Sequence, residues 1–543
     1  MSPLRARVAL LCALSLSACI RLRNPNADAS SSDGAIVDTS SSDGAVLLDA
    51  SDAMAAMDTG VATDSGVTTD TGIELDTGSL SDSGGIVDSD VIVDTGVRCP
   101  DGCGPAAALR NCGGPCMTDI NEDPNHCGAC GARCAAGEYC LHGMCSAHEW
   151  ITTSEFSTCA AISGRAYCWG QNLSQSVAAG SSNVASPSAV TMAASMDRTF
   201  IIAHGREATA AIAALSSEPT DVGNAFYWGS LNTIDGMTSA TTATPARLPS
   251  VLEQFVEVSA AHSIAQFCAR TRDRRVYCWG RDDMGGLARP PAIAMGSVAR
   301  QPQEVAALNG AVELAMGDRF GCARMCGGRV LCWGSNEDHQ LGRSTGAELF
   351  DSNPAPVLLA GGAPLDDAIS IAAGFHHACA VRANGTVVCW GANQCGQLGD
   401  GSAVTSDCVY NALGDQAVDS VVPNTVRAVG GAGMLTGALS VSAGQSTSCA
   451  IVRSASAGVL YCWGANHYQQ IRSLPELGNW TTAPLDVRLG AGESVVQASV
   501  GYGHVCARLA SGAVRCWGRG NFGQLGASAG DAGATPFVSS RDR

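Results

Sequence analysis

The sequence contains no lysine, and it has few charged or aromatic residues. Of 543 residues, 15% are charged and 5% are aromatic, and the net charge at pH 7 is −18. A protein that binds nucleic acid needs a basic face against the phosphates, so we expect no nucleic-acid partner. The 64 glycines favour short strands and tight turns over helical bundles.

The common catalytic motifs are absent as well. The sequence has no Gly-x-Ser-x-Gly, no His-Glu-x-x-His and no phosphate-binding loop. In the repeated unit described below, no Asp, Glu or His recurs at one strand position, as catalysis around a channel would require. We therefore predict that the protein is not an enzyme and has no cofactor and no metal.

The apolar run near the N-terminus is too short to span a bilayer. It covers about nine residues, 8–16, after Arg5 and Arg7, whereas a spanning helix needs about 20. The following Leu-Ser-Ala-Cys, ending at Cys19, resembles a bacterial lipobox. The resemblance implies a signal peptide over 1–18 and a lipid on the thiol of Cys19. The protein would then be exported and anchored in the outer membrane or on the surface of a bacterium. An ordinary secretory signal is the alternative.

Residues 19–98 are predicted to be a lipid-anchored, disordered linker. Between 24 and 98 there are 15 acidic residues, one arginine and no aromatic residue. Aspartates recur every six residues at Asp58, Asp64, Asp70, Asp76, Asp82, Asp88 and Asp94. Low hydrophobicity and like-charge repulsion keep such a segment unfolded. Weak calcium binding by the regular aspartates is the alternative.

Residues 99–148 form a cysteine-rich segment, which we call the module. Its nine cysteines are Cys99, Cys103, Cys112, Cys116, Cys127, Cys130, Cys134, Cys140 and Cys145. The run from Asp123 onward resembles the stigma-specific-protein-like module of extracellular proteins. So short a segment needs covalent staples, and in an exported chain disulfides are favoured over a zinc site that includes His126. Because nine is odd, one thiol is free or pairs outside the module.

The remainder of the chain repeats a Trp-Gly pair seven times. The tryptophans lie 51 to 73 residues apart, at Trp169, Trp228, Trp279, Trp333, Trp390, Trp463 and Trp517. Repeats of this length indicate a propeller or a solenoid. The clearest copy is 379–399, which reads as a strand, an Asn-Gly turn, a second strand ending in Cys-Trp-Gly, and a loop closed by Gly-Gln-Leu-Gly.

This unit resembles the repeat of the regulator of chromosome condensation family. The matching runs include 374–380, 396–399, 501–507 and 523–526. The resemblance implies an all-β, seven-bladed β-propeller over 149–543. Residues 535–538 resemble the strand that opens each repeat, and we expect them to pair with strands near 150–159 and close the ring, which removes open sheet edges.

Six cysteine pairs flank the predicted hairpins, and we expect each to be a disulfide. They are Cys159/Cys168, Cys268/Cys278, Cys322/Cys332, Cys379/Cys389, Cys449/Cys462 and Cys506/Cys516. A spacing of nine or ten across a short turn places both cysteines at one level of neighbouring strands. Buried reduced cysteines are the alternative. Cys395 and Cys408 are predicted to form a further bridge in a loop.

The second repeat lacks both cysteines. We align Phe200 and Tyr227 with the two cysteine positions, and their joint absence favours a bond over two independent thiols. Cys326 has no local partner and is a candidate for the odd cysteine of the module. His377 and His504 precede their cysteines by two residues, and we interpret them as structural residues that hold a turn. His376 and His377 face opposite sides of a strand, which argues against a metal pair.

The fold alone does not determine the function. The sequence favours a non-catalytic scaffold protein that binds an unknown protein partner. We expect it to be monomeric and to be attached to the membrane through its lipid anchor. By family resemblance the alternatives are a nucleotide exchange factor for a small GTPase and a secreted enzyme inhibitor. An inhibitor would present aromatic anchors on one face, and the candidates from sequence are Tyr468, Trp480 and Phe522.

Overall fold

A computed structural model of the chain describes two parts of the cysteine-rich module and most of the region that follows. The described residues are 109–110, 118–119, 130–134, 138–141, 144–147, 149–172, 174–180, 182–191, 198–214, 223–230, 241–247, 255–289, 297–402, 404, 408, 419–454, 457–472, 478–490, 492–526 and 535–537. Cys19, the linker aspartates and most of the module's cysteines lie outside them.

The module contributes two antiparallel pairs of short strands. Strand β1 (Leu109–Arg110) pairs with β2 (Thr118–Asp119), and β3 (Glu138–Leu141) pairs with β4 (Met144–Ala147). The second pair places Cys140 opposite Cys145 in register. Cys130 and Cys134 are both disulfide-bonded. Short strands and disulfides fit the prediction that this segment is held by covalent staples.

The chain from residue 150 onward folds into seven four-stranded antiparallel sheets, each made of consecutive strands. We number them as blades 1 to 7. The strands are β5 (Trp150–Thr153), β6 (Ser157–Ile162), β7 (Arg165–Gly170) and β8 (Val184–Ala189); β9 (Arg198–His204), β10 (Ala208–Ala214), β11 (Asn224–Ser230) and β12 (Thr241–Arg247); β13 (Phe255–Ala260), β14 (Gln266–Thr271), β15 (Val276–Asp282) and β16 (Ser297–Glu304); β17 (Ala311–Met316), β18 (Phe320–Met325), β19 (Val330–Ser335) and β20 (Phe350–Pro356); β21 (Ala368–Ala373), β22 (His377–Arg382), β23 (Val387–Gly391) and β24 (Ser420–Thr425); β25 (Ala438–Ala443), β26 (Thr447–Ser454), β27 (Ala457–Ala465) and β28 (Trp480–Asp486); β29 (Val495–Val500), β30 (His504–Leu509), β31 (Val514–Gly518) and β32 (Thr535–Phe537). One 3-10 turn, Ala306–Leu308, is described between blades 3 and 4.

The architecture is therefore an all-β, disulfide-rich, seven-bladed propeller, and the predicted blade number is confirmed. The first strand of each blade is innermost, and the first strands of neighbouring blades contact one another. The described residues contain no helix that is long and apolar enough to cross a membrane.

The Trp-Gly pair ends the third strand of each blade, and its tryptophan fills the space between blades. Six of the seven indole groups are fully buried, and Trp517 is partly buried. In blade 5, Trp390 donates from Nε1 to the Gln340 carbonyl of blade 4 at 2.9 Å. Trp463 makes the same bond to the Gln397 carbonyl of blade 5. The Gly-Gln-Leu-Gly loop of one blade thus receives the tryptophan of the next blade, so each copy of the repeat stabilises its neighbour.

The glycine after each tryptophan lies at an irregularity between the third and fourth strands. In blade 5 the register shifts between Cys389 and Gly391. Gly391 has φ +97°, and a Cβ there would lie 2.6 Å from the carbonyl oxygen of His376. Both the backbone conformation and the close approach of another chain segment require glycine. The same shift follows the second hairpin cysteine in four other blades, at Cys168, Cys278, Cys332 and Cys462.

All six predicted hairpin cysteine pairs are joined by disulfide bonds in the structure. Their Cα atoms are 4.0 to 4.1 Å apart on facing strands. The bonds are Cys159–Cys168, Cys268–Cys278, Cys322–Cys332, Cys379–Cys389, Cys449–Cys462 and Cys506–Cys516. The hairpin bridges lie buried among the apolar residues between blades, where each links the second and third strands.

The predicted spacing of nine or ten does not hold for every hairpin bridge. Cys449 and Cys462 are 13 residues apart, because β26 and β27 extend beyond the cysteines as far as the pair Ser454 and Ala457. The two cysteines still face each other, since a longer hairpin adds residues equally to both strands. The predicted loop bridge, Cys395–Cys408, is also present, with Cα atoms 4.6 Å apart.

The alignment of Phe200 with a cysteine position is wrong. Ala210 on β10 faces Tyr227 on β11, at the register position where the other blades have two cysteines, such as Cys268 and Cys278. Phe200 lies on the innermost strand β9. Ala210 precedes Tyr227 by 17 positions, more than the 9 to 13 of the bridged hairpins, so the usual spacing does not locate the facing residue. The conclusion that both cysteines are missing together still holds.

The predicted mode of ring closure is also wrong. The C-terminal strand β32 pairs with β31, Cys516 facing Thr535, and completes blade 7. Blade 1 has four strands of its own, β5 to β8, and none of them comes from the C-terminus. Instead, side chains join the two innermost strands. Gln497 exchanges hydrogen bonds with the backbone of Ile151 at 3.1 and 3.2 Å, and the Ser499 hydroxyl accepts from Thr153 N at 2.9 Å.

Cys326 lies in the turn between the second and third strands of blade 4, and it is disulfide-bonded. The other fourteen cysteines after residue 149 form the seven bridges described above. By elimination, the partner of Cys326 precedes the propeller in the sequence. Cys12, Cys19 and the cysteines of the module all precede it, so the pairing of Cys326 with the odd cysteine of the module stays a prediction.

Candidate functional site

The antiparallel order of the strands assigns every loop to one of two faces. Loops between first and second strands, and between third and fourth strands, emerge on one side, which we call the loop face. Turns between second and third strands emerge on the other side, which we call the opposite face. Residue 149 enters β5 from the opposite face, and Cys326 lies on that face too. The loop face is therefore the side away from the point where the chain enters the propeller.

The central channel is narrow and is lined by the first strands of all seven blades. Its cavity volume is about 190 Å³, with many small or hydroxyl side chains such as Thr152, Ser259 and Ser499. Glu257, which also lines it, receives hydrogen bonds from Arg270 Nε and Leu314 N, both at 2.8 Å. Burial raises the pKa of Glu257, and the Arg270 charge opposes that effect. This carboxyl group links blades 3 and 4.

Five side chains from three different blades meet at the centre of the loop face. We call Arg519, Phe156, Tyr468, Tyr502 and Phe522 the Arg519 cluster. The guanidinium carbon of Arg519 lies 4.8, 4.9, 5.4 and 5.3 Å from the ring centroids of Phe156, Tyr468, Tyr502 and Phe522, respectively. These distances are within the range of cation–π attraction. Phe156 also contacts Tyr502 and Phe522, with centroids 5.3 and 5.0 Å apart.

Backbone contacts place the arginine among these rings. Arg519 N donates to the Gly503 carbonyl at 2.8 Å, which joins the two loops of blade 7. A side chain at Gly503 would collide with the ring of Tyr468. Tyr468 reaches over from blade 6 with 41% of its surface exposed. Backbone contacts of the blade 7 loops therefore fix the position of the Arg519 cluster, and Tyr468 leaves it accessible to solvent.

The ring cluster continues across the mouth of the channel. Phe375 from blade 5 makes an edge contact with Tyr502 at 6.4 Å and stacks on His262 from blade 3 at 5.2 Å. His262 Nε2 lies 3.1 Å from the Ala373 carbonyl, and burial lowers the pKa of this imidazole. The neutral His262 ring donates to this carbonyl and stacks on Phe375. The row of ring contacts therefore runs from blade 7 across the channel mouth to blade 3.

The other side of the mouth carries paired charges. Arg206 forms an ion pair with Glu155 at 3.0 Å, and Arg319 lies 3.8 Å from Asp318. Burial raises the pKa of Glu155, and the Arg206 charge opposes this. Ser263 donates a short hydrogen bond to Asp318. The loop face therefore combines an aromatic half with a half of mixed charge.

The structure brings together two of the three aromatic residues that the sequence offered as anchors. Tyr468 and Phe522 belong to the Arg519 cluster. Trp480 does not, because it begins β28 and packs near the Cys395–Cys408 bridge. Sequence reasoning missed Phe156, Tyr502 and Arg519. A usable signal was present, since Phe156 and Tyr502 both lie in loops between first and second strands, and these loops surround the channel.

The two histidines interpreted as structural residues connect blades. His377 Nε2 lies 2.8 Å from the Ser448 hydroxyl of blade 6, and His504 Nε2 lies 3.0 Å from the Thr158 hydroxyl of blade 1. Burial lowers the pKa of each to about 3. Within the described ranges, no three His, Cys, Asp or Glu side chains come together as a metal site would need.

Comparison with known proteins identifies the repeats. The model of the Regulator of chromosome condensation (RCC1) repeat matches residues 311–340, 368–397 and 495–524, and a second model of the same repeat matches 327–381. The model of the Stigma-specific STIG1-like protein family matches residues 90–148. The chain is thus a seven-bladed propeller with repeats that match the RCC1 repeat models, and it has a segment before the propeller that matches the STIG1-like model.

Two curated relatives show how far the similarity extends. The Ultraviolet-B receptor UVR8 of Arabidopsis thaliana is 30% identical over 277 residues, which is 50% of this chain and 54% of the receptor. The Secretion-regulating guanine nucleotide exchange factor of Bos taurus is 31% identical over 205 residues, 37% of this chain and 39% of that protein. The chain spans about half the length of these relatives or less.

Solved structures agree on the fold. Prp20p of Saccharomyces cerevisiae superposes with a TM-score of 0.53 at 19% identity, over 72% of this chain and 88% of that one. Human WBSCR16 gives a TM-score of 0.53 at 18% identity, over 67% of this chain and 90% of that one. At such low identity the likeness concerns the fold alone.

Proposed function

We propose that this RCC1-repeat propeller is an exported, non-catalytic protein that binds another protein through its loop face. The observation that carries the proposal is the Arg519 cluster. Large rigid aromatic side chains and arginine are the residue types that dominate protein–protein recognition. Here four rings and one arginine meet at the centre of a face, while paired charges adjoin them.

Several features favour binding over catalysis. In the described part of the chain, Glu155, Glu257 and His204 at the channel and its mouth are held in ion pairs or hydrogen bonds. The cavity of about 190 Å³ is smaller than the roughly 300–1,000 Å³ typical of small-molecule sites. A flat aromatic surface suits a macromolecular partner better than a small substrate.

Export is supported by the cysteines. Seven disulfides join described residues of the propeller, and such bonds form and persist in oxidising compartments. We include in the proposal a lipid anchor on Cys19 and a monomeric propeller. Palmitate labelling of the wild type but not of Cys19→Ala would support the anchor, and equal labelling of both would refute it. Export argues against nucleotide exchange on a cytosolic GTPase.

The experiment is a capture assay with the full-length chain against an outer-membrane extract. We expect Tyr502→Ala combined with Phe522→Ala to reduce recovery of a partner at least tenfold. Met434→Ala is the matched apolar control, because Met434 is 54% exposed and precedes the first strand of blade 6 on the opposite face. Loss of capture with Met434→Ala but not with the double variant would overturn the proposal.

A further inference from the structure

Arg519 differs from its charged neighbours because no carboxylate pairs with it among the described residues. Arg206 and Arg319 on the same face lie beside Glu155 and Asp318. The side-chain hydrogen bond of Arg519 runs from Nε to Asn521 Oδ1 at 2.9 Å. Among the described residues, no ion pair or hydrogen bond uses its terminal nitrogens, so they remain as donors for a ligand.

The four rings give this guanidinium a fixed position. They lie 4.8 to 5.4 Å from its central carbon, and the Asn521 bond holds its Nε. A guanidinium that is already oriented loses little freedom when it binds a ligand. Aromatic walls also reduce local screening, so a charge-assisted bond there is stronger than in open water.

The residues around Arg519 indicate which kind of anion it would bind. A planar fork of N–H donors matches a carboxylate with two parallel hydrogen bonds. A phosphate-rich ligand such as nucleic acid or an anionic membrane needs several unpaired cations. Here the neighbouring Glu155 and Asp318 are acidic, and the nearby arginines lie beside them. The site therefore suits a single carboxylate on a mainly apolar segment.

We propose that the Arg519 cluster is a carboxylate-binding subsite, which receives an Asp or Glu side chain of the protein partner while apolar groups beside that residue pack on Phe156, Tyr468 and Tyr502. This inference rests on the proposed function and adds the chemistry of the ligand. The acidic side chain supplies specificity, and the rings supply most of the contact area.

The test uses a displayed library of random twelve-residue peptides, selected on the full-length protein. We expect the selected peptides to be enriched in Asp or Glu. Arg519→Gln should weaken binding of a selected peptide at least tenfold, and Asp→Asn in the peptide should weaken it equally. The two changes together should cost no more than either alone, because both remove one contact. Arg519→Lys should retain part of the affinity.

Controls separate the possible failures. Arg453→Gln removes an exposed arginine of the opposite face and should leave affinity unchanged. Thermal unfolding of Arg519→Gln should remain one cooperative transition, lowered only by the lost cation–π contacts. Amidation of the peptide C-terminus should not reduce affinity, and a loss would overturn the side-chain assignment in favour of a terminal carboxylate.

Peptides without acidic residues, or a selection that yields no binder, would overturn the carboxylate subsite. If peptides bind, lose affinity with Tyr502→Ala and ignore Arg519→Gln, the subsite fails while the proposed binding face stands. If binding responds to neither variant, both proposals fail.

Discussion

Blades 2 and 4 have the same four strands and the same buried tryptophan, but they differ in covalent cross-links. Blade 4 contains the Cys322–Cys332 bridge and the bonded Cys326 in its hairpin turn. Blade 2 has Ala210 facing Tyr227, and its described residues include no cysteine. The difference shows that the fold of a blade does not depend on a disulfide, because tryptophan packing and strand pairing are common to both. The disulfide should instead decide how easily the blade opens.

The largest effect should follow from removing the tryptophan of blade 2. Trp228 is fully buried and donates from Nε1 to the Ser176 carbonyl at 2.8 Å. Trp228→Ala should lower the free energy of unfolding by about 3–5 kcal/mol and abolish amide protection in β10 and β11. Trp333→Ala is the matched variant in blade 4, and its cross-linked hairpin should stay protected. Hydrogen exchange and urea unfolding measure both, and equal loss of protection in the two blades would contradict the comparison.

Acid should open blade 2 before blade 4. His204 of blade 2 is buried between the Thr209 and Ser157 hydroxyls, both at 2.6 Å. Burial lowers the pKa of His204 from 6.5 to about 3, and the His504 charge adds to this. Because the unfolded chain binds the proton more readily, stability is complete above pH 6.5 and falls as pH drops towards 3, by up to about 1.4 kcal/mol per pH unit.

The strands of blade 4 contain no histidine, so its stability should not fall in acid through protonation of a buried imidazole in its strands. Hydrogen exchange at pH 7.5 and pH 5.0 should show greater opening of β9 and β10 than of β17 and β18. His204→Gln should reduce the pH dependence of blade 2. If blade 4 opens first in acid, His204 is not the determinant.

A disulfide introduced into blade 2 should reduce its difference from blade 4. Ala210 and Tyr227 face each other at the register position of the natural bridges, so Ala210→Cys with Tyr227→Cys should form a bond. We expect the bond to raise the free energy of unfolding by about 3 kcal/mol. The reference is the unbridged control, Ala210→Ser with Tyr227→Ser. Relative to wild type the net gain should be close to zero, because the buried Tyr227 side chain is lost. If the bridged variant is no more stable than its serine control, opening of this hairpin does not determine the stability of blade 2.

The smallest effect on the opening of blade 4 itself should come from Cys326, whose bond is the easiest to map. Trypsin cleaves after arginine, and the absence of lysine leaves Met325-Cys326-Gly327-Gly328-Arg329 as one short peptide. Without reduction, we expect mass spectrometry to find it joined to a peptide from 99–148. Recovery as a free thiol, or joined to Cys12 or Cys19, would contradict this. Cys326→Ser should leave amide protection in β18 and β19 unchanged, because the Cys322–Cys332 bridge of blade 4 remains.

Much of the fold could be predicted because the decisive pairings are local. A hairpin joins Cys379 to Cys389 across one Asn-Gly turn, so spacing alone indicates which residues face each other. The same reasoning failed in blade 2, where the hairpin is longer, so that spacing did not locate Ala210, and Phe200 lies on the first strand instead. It failed again at ring closure, since whether the last strand completes blade 7 or joins blade 1 depends on edges that exist only in the assembled ring.

The sequence by itself determined the all-β class, the seven units, the cysteine pairs and the glycines at the ends of the third strands, because each follows from chemistry within one repeat. Only the tertiary structure decided which residues meet on the loop face. Phe156 and Arg519 are 363 positions apart in the sequence, and they come within 4.8 Å because blades 1 and 7 are neighbours in a closed ring. A repeat specifies its own hairpins and its contact with the next blade, whereas a binding face at the centre of the ring is built from loops that the sequence separates.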